Sequence, residues 1–111
     1  MRYYRIVQHG IVRRRDFASY GELGVQPKRP LSPREQDRWW GISVFSSEEF
    51  AIQRSDDSPF LGRYLAVLEI PHNATPRIEQ TGRHPGHYTI WARAEDLLGW
   101  VISIIDLDGV Q

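Results

Sequence analysis

His84 and His87 stand three residues apart across a Pro85-Gly86 turn, a spacing that two metal ligands can use. Zinc takes three or four protein ligands from Cys, His, Asp or Glu. The chain has no Cys, and a third histidine such as His72 would have to be brought in from a distance. The pair therefore reads as a surface turn carrying an exposed His84, with His87 at the entry to a strand, and no metal is expected. His87 keeps another use, because imidazole exchanges protons near neutral pH. Tyr88 beside it can stack on a base or sugar while its hydroxyl hydrogen-bonds. On a two-residue period His87 and Thr89 point one way, Tyr88 and Ile90 the other.

Arg5 interrupts an apolar run and shares a face with Tyr3 and Val7. A mid-strand arginine either snorkels to water at a sheet edge or lines a polar cleft. In a cleft its planar fork would clamp a phosphate or a ribose. Glu69 ends the most apolar run of the chain, beside Leu65 and Val67, and must sit at the strand mouth or pair with a cation. Glu79 lies in a shorter run and faces a cleft more easily. Either carboxylate would serve as a general base or orient a ribose hydroxyl. Ser43, Ser46 and Ser47 line the exit of a strand into a helix N-terminus, where backbone N–H groups can meet an anion. A plain helix cap accounts for these serines equally well. Trp39, Trp40, Trp91 and Trp100 are numerous for this length; they can be platforms for bases, but core packing is their more ordinary role.

The totals limit which of these uses are open. Lys plus Arg and Asp plus Glu are 14 each, so the net charge is zero, and a nonspecific nucleic-acid binder would carry a basic excess. Nucleic acid is therefore not an expected partner. The charge is uneven all the same. Arg2, Arg5, Arg13, Arg14 and Arg15 bias the first part, and Lys28 is the single lysine, so any anion site would be built from arginine forks. The absence of Cys excludes disulfides, iron–sulfur clusters and a cysteine nucleophile. The first residues, MRYYRIVQHG, are charged from the start and resemble no signal peptide. No apolar run is long enough to span a bilayer. A cytoplasmic location without membrane contact is expected.

These residues must be positioned by elements that the pattern predicts. Strands are expected over 3–7, 42–45, 64–70, 77–81, 87–92 and 100–107, from their β-branched and aromatic density. The run at 64–70 predicts a strand central to the sheet and buried on both faces. The last run predicts a sheet interior as well. A short helix is expected over 13–20. Ser32-Pro33-Arg34-Glu35 forms a capping box with Pro at the first helical position, opening a helix that stops at Gly41. Ser46-Ser47-Glu48-Glu49 forms a second box, opening a helix over roughly 47–55. A further helical turn is expected over 94–98. Early helices followed by clustered strands predict one α+β domain with a mixed, largely antiparallel sheet of about five or six strands and two to four short helices. No dinucleotide-binding glycine loop, P-loop, zinc-protease motif or nucleophile elbow is present.

In this arrangement the segment Tyr4-Arg5-Ile6-Val7 is similar to the opening strand of small ADP-ribosyltransferase-like and RES-like domains. The segment from Gly41 to Ser47, followed by Glu48-Glu49-Phe50-Ala51, resembles the serine-bearing strand and helix of that group. The chain's GISVF and GHYT segments also resemble those of a bacterial protein family. The resemblance implies NAD as a substrate rather than a tightly bound cofactor. It implies that Arg5 contacts NAD and that Glu79, or else Glu69, acts on the nicotinamide ribose. Ser43 and Ser46 would then bind the cofactor, with His87 and Tyr88 shaping the pocket. The resemblance lacks a full Ser-Thr-Ser motif and a Glu-x-Glu or Gln-x-Glu signature. The alternative expectation is a noncatalytic interaction or regulatory module. Trp39, Trp40 and the Arg13–Arg15 cluster would then meet a protein partner or a second copy.

Overall fold

Four successive buried residues, Leu65, Ala66, Val67 and Leu68, require a strand covered on both faces. A computed structural model describing residues 1–109 supplies that cover. Six strands form one sheet: β1 (Arg2–Val7), β2 (Ile42–Phe45), β3 (Tyr64–Glu69), β4 (Arg77–Gln80), β5 (His87–Trp91) and β6 (Val101–Asp106). Their order is β4-β5-β2-β1-β3-β6. Every neighbouring pair is antiparallel, so the expected α+β class holds with a sheet that is not mixed. Three helices, α1 (Pro33–Trp39), α2 (Glu48–Asp57) and α3 (Ala94–Gly99), pack around it. Among the described residues no helix is long and apolar enough to cross a membrane.

Strand alternation divides the core. One face carries Tyr3, Val7, Ile42, Val44, Ala66, Leu68 and Ile90 against Phe17 and Leu97. The other carries Phe45 and Leu65 against Ala51 of α2. Gly62 turns the chain into β3 at φ 135°, where a Cβ would lie 2.2 Å from the Val7 carbonyl oxygen. Only glycine fits both that backbone and that approach.

Four expectations need correction. Among the described residues the last run, β6, pairs only with β3 and lies at the sheet edge. Its β-branched residues are half-buried against β3, and Ile102 is 53% exposed, so their density reflects packing on one neighbour. The helix expected over 13–20 shrinks to one 3₁₀ turn, Arg14–Phe17, because buried Phe17 and Ala18 draw the chain into the core. The second capping box is half a box, shifted by one residue. Ser47 caps α2 by accepting from the Phe50 N–H, and Phe50 has no carboxylate to return the bond. The first box is complete, with Ser32 and Glu35 exchanging both bonds. Finally, none of the four tryptophans is fully buried: Trp100 packs half-buried against the core, Trp39 and Trp91 are half-buried, and Trp40 is 59% exposed. Phe17 and aliphatic side chains such as Leu65, Leu68, Ile90 and Leu97 fill the interior.

Candidate active site in the split between two strands

β1 and β2 adjoin in the sheet, yet among the described residues their register has one partner pair, Tyr4 opposite Phe45. Beyond that pair the strands separate. Arg5 fills the start of the gap. Its Nη1 donates to the Ser43 carbonyl at 2.8 Å and its Nε donates to the Asp16 carbonyl at 2.8 Å. One guanidinium thus ties β1 to β2 and to the loop that follows β1. Burial pulls its pKa down to about 10, against the opposing effects of Tyr20 and Asp16. It remains charged at neutral pH.

The gap widens into a cleft of about 650 Å³, the size of a small-molecule site. Arg5, Ile6, Ser43 and Phe45 form its floor. One wall is the loop after β1. There the Arg13 N–H donates to Asp16 Oδ2 at 2.7 Å, and the Glu22 N–H donates to Ser19 Oγ at 3.2 Å. Phe17 anchors this loop in the core, and Arg15, Tyr20 and Leu23 face the cleft. The opposite wall carries Arg54 from α2 with Phe60 and Leu61. Gln8 pins it to β1 by donating to the Phe60 and Leu61 carbonyls, each at 2.9 Å. His84 and His87 close the end nearest β5.

The cleft is electropositive. Arg2, Arg14, Arg29, Arg63, Arg77 and Arg93 are held in salt bridges. Among the described residues, Arg5, Arg15 and Arg54 have no carboxylate partner within salt-bridge distance, although Arg54 donates to Ser58 Oγ at 2.5 Å. Asp16 is the single carboxylate in the lining. Net neutrality therefore conceals a local excess of positive charge in the lining. Three guanidiniums with an apolar rim suit a ligand with anionic and flat apolar parts.

His87 sits where β5 begins, opposite Phe45. Its ring stacks edge-on against Phe45, with centroids 5.4 Å apart. Nδ1 lies 2.8 Å from the Thr81 carbonyl oxygen. Burial lowers its pKa first; the Thr81 bond opposes this, while His84, Arg38 and Arg54 add to the lowering.

The other residues singled out by sequence go elsewhere. Glu79 lies on the same sheet face as Ser43, in the cross-strand row Ser43–Thr89–Glu79. Two strand spacings separate it from Ser43, roughly 10 Å between backbones. It lines a neighbouring groove of about 480 Å³ and accepts from Arg77 Nε at 2.7 Å. Arg77 also pairs with Asp37 and covers the Trp91 ring at 3.8 Å, so Glu79, Asp37 and Trp91 are all engaged by one arginine. Glu69 is paired with Arg2 and the N-terminal ammonium, which hold its pKa down. Tyr88 lies on the opposite sheet face, its ring edge-on to Tyr3 at 5.8 Å. Ser46 lies past the end of β2, where its N–H donates to the Gly86 carbonyl. Arg5, Ser43 and His87 thus share the cleft, and Glu79, Tyr88 and Ser46 do not line it.

Sequence reasoning did not place Arg54 or Phe60 at a site. Nothing local marks Arg54 on a polar helix, and Phe60 falls between the expected helix and the strand over 64–70. Arg15 was visible only as a member of a basic cluster. Searches against models of known protein families, curated proteins and solved structures returned no match to the chain.

Proposed function

We propose that the chain binds a nucleotide of the NAD type in the β1–β2 cleft and acts at its N-glycosidic bond, as the resemblance to ADP-ribosyltransferase-like domains implies. The observation that supports this reading is the position of Arg5. It stands at the split of the sheet, flanked by the carboxylate-free Arg15 and Arg54. These forks would receive the diphosphate, and Tyr20, Leu23 and Phe60 would contact a base or the nicotinamide ring. In this reading Ser43 contributes at least its carbonyl, which aims Arg5. Glu79 reaches the ligand only if the nicotinamide ribose extends along the Ser43–Thr89–Glu79 row.

The test is incubation of the full chain with NAD, following nicotinamide release and binding by calorimetry. Binding with slow release is expected. Arg54→Ala should weaken binding without unfolding the protein, because Arg54 is partly exposed. If NAD neither binds nor is consumed, the reading fails.

One observation favours a second reading, a protein-interaction module. Tyr20, Leu23, Val25 and Trp40 are exposed on the loop and helix end beside the cleft. Trp40→Ala should then abolish self-association or partner binding while leaving the fold intact, as a size measurement would report.

A further inference from the structure

The arginines of the cleft only donate hydrogen bonds. A ligand that also carries hydroxyl donors needs an acceptor among the lining groups. Asp16 Oδ2 is already engaged by the Arg13 N–H, and Glu79 lies outside this cleft. His87 remains. A carbonyl oxygen can only accept, so the Thr81 carbonyl at 2.8 Å places the imidazole proton on Nδ1. That carbonyl is itself fixed. The Thr81 N–H donates to the His87 carbonyl at 3.1 Å, and Thr81 Oγ1 lies 2.7 Å from Thr89 Oγ1 and 3.2 Å from His87 Nδ1. With Phe45 against its side, the ring is held in position and in tautomer. Among the described residues Nε2 has no hydrogen-bond partner, and its lone pair belongs to a residue that lines the cleft.

We infer that His87 is the neutral hydrogen-bond acceptor of the cleft, receiving a ribose hydroxyl of the ligand at Nε2. This rests on the reading that the cleft binds a nucleotide. It names the chemistry recognised: phosphate oxygens at the arginines and a hydroxyl donor at the histidine. The charged and titratable groups near the ring are His84 from the turn, Arg38 from α1 and Arg54 from α2. All of them oppose protonation, so the acceptor state is kept at neutral pH.

The test has two arms on the full chain. The first is the imidazole ¹⁵N spectrum of His87 without ligand at pH 7. The expected result is a protonated Nδ1 and an unprotonated Nε2; the reverse tautomer, or a charged ring, overturns the inference. The second is calorimetry with NAD, ADP-ribose and inorganic phosphate. His87→Ala should weaken NAD and ADP-ribose about three- to tenfold, the loss of one ordinary hydrogen bond, and leave phosphate unchanged. Wild-type affinity for NAD should fall as pH drops through the His87 titration, and the variant should lack that step. NAD binding unaffected by His87→Ala overturns the inference while the nucleotide reading stands. Phosphate binding with NAD no tighter overturns the ribose assignment and leaves an anion site. No binding of any probe overturns both.

Discussion

Arg5→Ala tests whether one side chain holds the split sheet together. Two hydrogen bonds are lost, to the Ser43 and Asp16 carbonyls, both 2.8 Å long and charge-assisted. Bonds of this kind contribute about 1.5–3 kcal/mol each. The bond to Ser43 is exposed and the one to Asp16 partly buried, so water takes over part of the first and less of the second. A net loss of about 2–3 kcal/mol follows. For a chain of this length the melting temperature should fall by roughly 10 °C. Arg5→Lys separates bridging from charge. An ammonium reaches one carbonyl but cannot span both, so about half the loss should persist. Urea denaturation of the three proteins at pH 7 gives the comparison. A loss below about 0.5 kcal/mol for Arg5→Ala, the size of an ordinary surface change, would refute the bridging role. So would Arg5→Lys matching the wild type.

Other perturbations probe the frame of the cleft. Gly62→Ala puts a Cβ 2.2 Å from the Val7 carbonyl at φ 135°, and should destabilise by about 3 kcal/mol or more in the same assay. Ser55 is fully buried, donates to the Gly62 carbonyl at 2.6 Å and accepts from Arg63 Nη1 at 3.0 Å. Ser55→Ala leaves the Gly62 carbonyl without that donor, while Arg63 keeps Asp56 and Asp108, and a loss of about 1–3 kcal/mol is expected. Ser32→Ala removes the cap of α1 and should cost about 1 kcal/mol, read as a lower urea midpoint with an unchanged slope. The folded His87 has a lowered pKa, so the unfolded chain binds its proton first as pH falls. Its contribution to stability is therefore present above the unfolded value near 6.5 and is lost as pH drops through the folded value. A His87→Gln variant should show a shallower fall in stability across that window.

The local elements were legible because their causes are local. The Ser32–Glu35 box spans four residues and forms both of its bonds. The apolar run of β3 announced an interior strand, and the run is interior. Period-two alternation placed Arg5 with Tyr3 and Val7, and set His87 apart from Tyr88. Where two explanations shared one pattern, the local signal failed. β-branched density marks a strand packed on one neighbour as readily as one packed on two, so β6 read as interior and lies at the edge. A serine run offers two adjacent caps, and the chain used the second.

The sequence by itself determined the α+β class, most of the strands and the presence of an arginine within an apolar strand, because periodicity and capping act over a few residues. The tertiary structure alone decided that β1 and β2 part after Tyr4 and Phe45, and that Arg5 bridges them. It also decided which arginines are neutralised. Arg14 meets Glu95 and Arg77 meets Asp37, whereas Arg5, Arg15 and Arg54, which among the described residues meet no carboxylate, line the cleft. Charge pairing depends on distance in space across dozens of residues, and a count of equal charges carries no trace of it.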